Sequence, residues 1–320
     1  MRNLFWRLLA GLAEITLVPA YTKGGYFIGK QLWDSDALDT DMSERVVLVT
    51  GANSGIGRAT AHALADRGAT VIMVCRNESR GEAARAELAE QCPAGKLVLE
   101  IADLSELASI RAACERIRSN YDRLDVLINN AGIMLHERME NSEGLEFSFA
   151  TNVLSGFALT RELLPMLEAA APSRVVHVSS GGMYTQRLKV DDLHFVGRNY
   201  DGVEAYAQNK RAQVILSEMW AQKLQERRVV SNSMHPGWAA TPGVERSLPN
   251  FNRILGPILR TSREAADTVV WLAVSREAGS RSGEFFFDRK ARRTHIWSGT
   301  RSTEEERARL WDYCEDLLGD

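Results

Sequence analysis

Seven short apolar runs recur along the chain after residue 45: RVVLVTG, TVIMVCR, KLVLEIAD, LDVLINNAG, RVVHVSS, RVVSNSMHPG and GEFFFD. Each is nearly continuous rather than alternating, as strands buried on both faces are. Between the early runs lie RATAHALADRG, SRGEAARAELAEQC and ASIRAACERIRSNY, with helix-forming composition and apolar positions at helical spacing. Strands alternating with helices predict a parallel sheet covered on both faces. The expected fold class is therefore α/β: a doubly wound, Rossmann-type sheet of about seven parallel strands in one domain. No Pro/Gly/Ser-rich linker and no internal repeat interrupts the pattern. We expect an extension over 1–42, the sheet domain over 43–290 and a tail over 291–320.

Both ends carry helical patterns of their own. In the first twenty residues Phe5, Leu8, Leu9, Leu12, Ile15 and Val18 form an apolar stripe, with Arg7 and Glu14 on the other side. This suits a helix packed on the body of the protein or across a subunit boundary. The second reading is an interfacial helix making peripheral membrane contact. The stretch is too short, and too broken by Glu14, to read as a span or a signal peptide. The tail closes with STEEERARLWDYCEDLL, where Ser302 and Glu305 fit a capping box and Leu310, Cys314, Leu317 and Leu318 form an apolar face. A packed closing helix is expected.

Composition narrows the function classes. The chain is 45% hydrophobic and 25% charged, enough for a large core. Its net charge of −3, without a basic block interleaved with aromatics, gives no case for nucleic-acid binding. Four cysteines at 75, 92, 114 and 314 form no CxxC pair, and six histidines form no HExxH. No metal centre is expected, and the cysteine usage suits a reducing compartment. A cytoplasmic location is expected, with membrane association left open by the N-terminal stripe.

Chemistry enters at the strand ends. Directly after the first strand comes TGANSGIGRA, with Gly51, Gly55 and Gly57 surrounding Asn53, Ser54 and Ile56. Glycines there let a chain turn tightly and bring N–H groups against a pyrophosphate at a helix N-terminus. Where an NAD-preferring site carries an acidic residue, the second strand ends in Arg76 and Asn77. An arginine suits a 2′-phosphate, so NADP(H) is expected to be preferred over NAD(H); a solvated surface arginine is the plain alternative. Arg58 would add positive charge nearby. Asp103 and Leu104 end the third strand, where the adenine edge belongs. Asn130, Ala131 and Gly132 follow the fourth, either as a close approach to the cofactor or as turn formers. In EAYAQNKRAQ, Tyr206 and Lys210 stand one helical turn apart.

In this order TGANSGIG, Asp103-Leu104, NNAG, Ser179-Ser180, YAQNK and HPGWAAT resemble the short-chain dehydrogenase/reductase family of the TGxxxGxG, YxxxK type, over roughly residues 45–290. SSGGM, YAQNKR, HPGWAATPGV, YTKGGY and DRK resemble one subgroup of it. The CRN turn and LWDYCEDLLG are similar to its retinol-dehydrogenase-like members. The resemblance implies a tetrad. Tyr206 would be proton donor or acceptor, and Lys210 would lower its pKa and bind the nicotinamide ribose. Ser180 would hold the substrate oxygen, and Asn152 would anchor a water in a proton relay. Pro236 and Gly237 would shape the nicotinamide end, and Thr241 would hold the carboxamide. It also implies a small-molecule carbonyl or alcohol substrate, a lipophilic aldehyde or ketone by analogy, and leaves a homodimer open.

Ser180 and Tyr206 stand 26 positions apart, farther than in many members. The intervening chain must loop out and return, as it does in retinol-dehydrogenase-like members. Met183 and Tyr184 are candidate lining residues of a substrate pocket there. The segment PGVERSLPNFNRILGPILR after Thr241 suits either a mobile lid or a fixed amphipathic helix. Two other readings compete: a nucleotide-binding regulator or membrane-associated scaffold without turnover, and a sugar-nucleotide epimerase of the extended branch. The glycine spacing and the short region after the sixth strand argue against the epimerase, and the complete tetrad against the regulator.

Overall fold

The computed structural model describes residues 17–319. The apolar stripe from Phe5 to Ile15 lies outside them. Among the described residues no helix is long and apolar enough to cross a membrane.

Eight strands form one sheet: β1 (Val46–Thr50), β2 (Thr70–Cys75), β3 (Lys96–Ile101), β4 (Val126–Asn129), β5 (Ser173–Val178), β6 (Val229–His235), β7 (Phe285–Phe287) and β8 (Lys290–Arg292). Their order is β3-β2-β1-β4-β5-β6-β7-β8. The first seven are mutually parallel, as the apolar runs predict, and β8 adds antiparallel to β7 through a tight hairpin. The eighth strand is short and polar, KAR, so it carries no apolar run by which to recognise it. The strand order reverses between β1 and β4. Ligands of open α/β sheets bind in that crevice, at the carboxyl ends of the strands.

The principal helices are α1 (Lys23–Lys30), α2 (Gly55–Ala65), α3 (Glu78–Gln91), α4 (Leu107–Asn120), α5 (Ser155–Glu162), α6 (Gly202–Lys223), α7 (Ser262–Val274) and α8 (Glu304–Leu318). Val47, Val49, Val71, Met73 and Ile128 face one layer with α2, α3 and α7. Leu48, Ile72, Leu127 and Val175 face the other, with α4, α5, α6 and α8. Side chains alternate across a strand, so VVLVT feeds both cores from five residues. Burying such side chains stabilises by about 1.5–3 kcal/mol each.

The closing helix α8 buries Leu310, Trp311, Cys314 and Leu318 against the second core, with Leu317 only partly covered. Its capping box is Thr303 with Glu306, one residue later than the pair Ser302 and Glu305 read from sequence. Thr303 has the extended backbone that an N-cap needs, and its hydroxyl accepts the Glu306 N–H at 3.1 Å. All four cysteines are free and buried.

Candidate active site

At the nucleotide end, β1 runs through Thr50 into the glycine turn that opens α2. Gly51 and Gly55 adopt φ of +65° and +55°, a region that L side chains rarely enter. Gly57 is needed for space: a Cβ there would lie 2.3 Å from the Gly51 carbonyl oxygen and 2.5 Å from Asn130 Nδ2. Ser54 has N-cap geometry but makes no side-chain cap bond, so the first N–H groups of α2 receive none from it. Asn53, Ser54 and Ile56 are half-buried around this turn.

The NNAG segment after β4 is fastened to the same turn. Thr50 Oγ1 accepts the Asn130 and Ala131 N–H groups at 2.9 Å each, and Asn130 Nδ2 donates to the Thr50 carbonyl at 2.8 Å. Asn130 is therefore a brace, and Thr50 is a site residue that sequence reasoning passed over. Gly132 is exposed, and a Cβ on it would meet Lys210 Nζ at 3.3 Å and Asn152 Oδ1 at 3.4 Å. Thr241 comes back to this point from after β6, its methyl 3.4 Å from where a Cβ on Gly55 would be. Its hydroxyl accepts the Val244 N–H at 3.3 Å, capping the short helix Pro242–Ser247.

At the adenosine edge, Arg76 is 62% exposed, and its ion pair with Asp103, at 4.0 Å, is loose. Asn77 caps α3, accepting the Arg80 N–H at 2.9 Å. Asp103 Oδ1 accepts from the Ser105 N–H and hydroxyl at 3.0 and 2.7 Å, and Leu104 is buried in the core. Arg58 turns away to pair with Glu87 on α3. Cys75, at the end of β2, is buried, which pushes its thiol up to about 11. A helix N-terminus without a side-chain cap, opened by a glycine-rich turn, fits the pyrophosphate of a dinucleotide.

At the chemical end, α6 carries Tyr206 and Lys210 on one face. Lys210 is 3% exposed, donates to the Val178 carbonyl at 2.8 Å, and has its Nζ 5.4 Å from the centre of the Tyr206 ring. Ser179 Oγ donates to the Lys210 carbonyl at 2.8 Å, tying the end of β5 to this turn of α6. Ser180 lies close enough to the Tyr206 hydroxyl to lower its pKa, so the long excursion between them does return. Ser180 Oγ also accepts the Gly182 N–H at 3.2 Å. Asn152 sits in a π-turn, Ala150–Leu154, an irregularity common at functional sites. Both ends of its side-chain amide bind the Ile133 backbone, at 2.7 and 2.8 Å, and its main-chain carbonyl accepts from Gln213 Nε2 at 2.6 Å. It thus fastens the segment after β4 to α6.

Burial sets the electrostatics at this end of the site. Burial pushes the Tyr206 phenol up to about 12, with the neighbouring Ser180 hydroxyl acting the other way. Burial alone brings Lys210 down to about 7. Desolvation disfavours the charged form of each.

Met183 does not line a pocket. It is fully buried among Val214, Phe285 and Tyr184, because the chain after Ser180 folds into a 3₁₀ turn, Gly181–Thr185, that drives it into the core. Tyr184 packs edge-on against Phe285, and its hydroxyl donates to the Arg293 carbonyl at 2.7 Å. The segment after Thr241 forms two short helices, Pro242–Ser247 and Pro249–Leu255, neither with a buried residue. Ile254 and Ile258 remain exposed on it.

Comparison with known proteins agrees with this fold. Residues 45–250 match the family model described as short chain dehydrogenase. The chain is 44% identical over 318 residues to human dehydrogenase/reductase SDR family member 12, covering 99% of this chain and 97% of that one. Human retinol dehydrogenase 14 is 36% identical, with 87% of each chain covered. Among solved structures, an uncharacterized protein from Mycobacterium paratuberculosis superposes with a TM-score of 0.70 at 30% identity, covering 88% of this chain and 96% of that one. A short chain dehydrogenase from Shigella flexneri complexed with NADP does so at 0.64 and 27%, covering 78% and 98%. With a family model over most of the sheet domain and relatives matching along nearly its whole length, the chain belongs to the short-chain dehydrogenase/reductase family of oxidoreductases.

Proposed function

We propose that the protein is an NADP(H)-dependent oxidoreductase that interconverts a carbonyl and an alcohol, with a lipophilic aldehyde or ketone as substrate. The observation that carries this reading is the buried Lys210 ammonium, one turn from a tyrosine whose hydroxyl lies beside Ser180. Lys210 also reaches Gly132, beside the crevice where strand order reverses. When bound, the nicotinamide supplies or accepts the hydride. In the reducing direction Ser180 holds the carbonyl oxygen and stabilises the charge developing on it. Tyr206, a phenol protonated at neutral pH, gives that oxygen its proton. Lys210, poised near neutrality, stands beside the phenol to restore the proton.

Preference for NADP(H) is supported by the exposed Arg76 where an acid would favour NAD, and by the NADP complexed with the Shigella flexneri relative. A lipophilic substrate is supported by Ile254 and Ile258, exposed on the segment after Thr241, and by the retinol dehydrogenases among the relatives. Cells hold NADPH mostly reduced, so the favoured direction is carbonyl reduction.

The test is a screen of the purified protein with NADPH against aldehydes, ketones and quinones, followed by Tyr206→Phe. Turnover should emerge for an apolar member of the panel and fall by about 10²- to 10⁴-fold in the variant. Tight NADPH binding without turnover on any compound would point instead to a regulator, and an unchanged rate in Tyr206→Phe would refute the proton-transfer role.

A further inference from the structure

His235 ends β6 two residues before Gly237 and is 2% exposed. Its Nδ1 accepts the Gly181 N–H at 2.9 Å, so the ring proton belongs on Nε2. Gly181 directly follows Ser180, whose own Oγ accepts from Gly182. The backbone that presents the Ser180 hydroxyl is therefore held at successive N–H groups, one of them by an imidazole from the next strand.

That imidazole is in turn held from behind by the N-terminal segment. The Tyr21 ring packs edge-on against His235 with centroids 4.5 Å apart, and against Phe287 and Trp238 at 5.0 and 5.7 Å. Phe287 also stacks on His235, at 5.1 Å. The fit at this point is close: a Cβ on Gly181 would lie 2.9 Å from His235 Nε2 and 3.0 Å from Tyr21 Cε2. Tyr21 also binds through its backbone, its carbonyl accepting the Trp238 N–H at 2.8 Å. Its neighbours are fixed by Arg260, which is 1% exposed. Arg260 donates to the Ala20 and Thr22 carbonyls at 2.9 and 3.3 Å while pairing with both oxygens of Asp288 at 2.6 and 2.8 Å. Gly237, at φ +80°, makes room, since a Cβ there would lie 2.5 Å from Arg260 Nε.

We propose that His235, clamped by Tyr21 of the N-terminal segment, is a positioning residue that sets the Ser180–Gly182 turn for catalysis. The N-terminal segment is then a working part of the active site rather than an appendage. This rests on the oxidoreductase reading only for its kinetic consequence. The hydrogen bond itself stands without it. Burial and the nearby Arg260 charge bring the imidazole pKa down to about 3, so Nδ1 stays an acceptor over the physiological range. Both contacts are available to chemistry that mutation can separate: Tyr21→Phe keeps the ring, and His235→Asn keeps an acceptor at the Nδ1 position.

The experiment measures two things on the full chain for Tyr21→Ala, Tyr21→Phe, His235→Leu and His235→Asn. One is hydrogen–deuterium exchange of the peptide containing the Gly181 amide; the other is kcat on the substrate found in the screen, alongside the NADPH Kd. Losing one buried hydrogen bond should speed Gly181 exchange and lower kcat by about tenfold in Tyr21→Ala and His235→Leu, with NADPH Kd unchanged. Tyr21→Phe and His235→Asn should stay within about threefold of the parent in both, since the contact survives. Unchanged Gly181 exchange in Tyr21→Ala, or equal loss in His235→Leu and His235→Asn, overturns the proposal. Should His235→Leu not fold, Tyr21→Ala and the two conservative variants decide. If the parent turns over no carbonyl, the oxidoreductase reading fails on that account, and Gly181 exchange alone decides this one.

Discussion

At the level of single residues, the site is governed by desolvation. Lys210 was legible as half of a Tyr–Lys pair because helical spacing places both on one face; that its charge would be so suppressed was not. Its folded pKa of about 7 lies below the ordinary 10.5 of a free lysine. Between those values the unfolded chain binds more protons, so stability rises with pH through that window and falls as pH drops toward 7. Cofactor-free protein should therefore gain melting temperature between about pH 7 and pH 9, and Lys210→Met should lose most of that gain in thermal denaturation. Arg76 offers a second test. Its pair with Asp103 is loose, so it can turn toward a 2′-phosphate. Arg76→Asp should weaken NADPH by about one to two orders of magnitude, the worth of charge-assisted hydrogen bonds, while NADH is spared. Steady-state KM values for the two nucleotides measure it.

At the level of elements, the glycine turn is the most economical piece of sequence. Its three glycines do different work, two by adopting positive φ and one by leaving space that the Gly51 carbonyl and Asn130 fill. Gly57→Ala should cost about 1–3 kcal/mol of stability through overpacking. It should also weaken NADPH binding, because relieving the clash moves the first turn of α2. Chemical denaturation and nucleotide fluorescence read the two effects. The closing helix shows where pattern alone runs short. Ser302/Glu305 and Thr303/Glu306 both satisfy the capping-box spacing, and only the backbone geometry selects the second. The Met183 reading failed for a related reason: a turn of 3₁₀ helix reverses which side chains face inward.

At the scale of the whole molecule, distant segments meet on the face where the strands end. Arg260 joins Ala20 and Thr22 near one end of the chain to Asp288 in the hairpin between β7 and β8. Both partners are buried, so removing one leaves an uncompensated charge. Arg260→Met should cost about 3–5 kcal/mol. It should also expose the 17–30 segment to limited proteolysis while the sheet stays protected. Loss of stability without early cleavage near Lys23 and Lys30 would mean that the pair supports the sheet rather than the segment.

Local information sufficed for what has short range. Apolar runs and helical spacing set out the seven parallel strands, and the TGANSGIG, NNAG and YAQNK segments marked the strand ends that matter. Long-range geometry decided the rest. The contact between Ser180 and Tyr206 across 26 residues, the brace from Thr50 to Asn130 and the docking of Tyr21 on His235 join residues that no short sequence window contains together. So does the balance of charge at the site, since burial is a property of the packed molecule. Spacing along the chain names the groups that can do chemistry, and only the fold determines how dry their surroundings are and which neighbours hold them still.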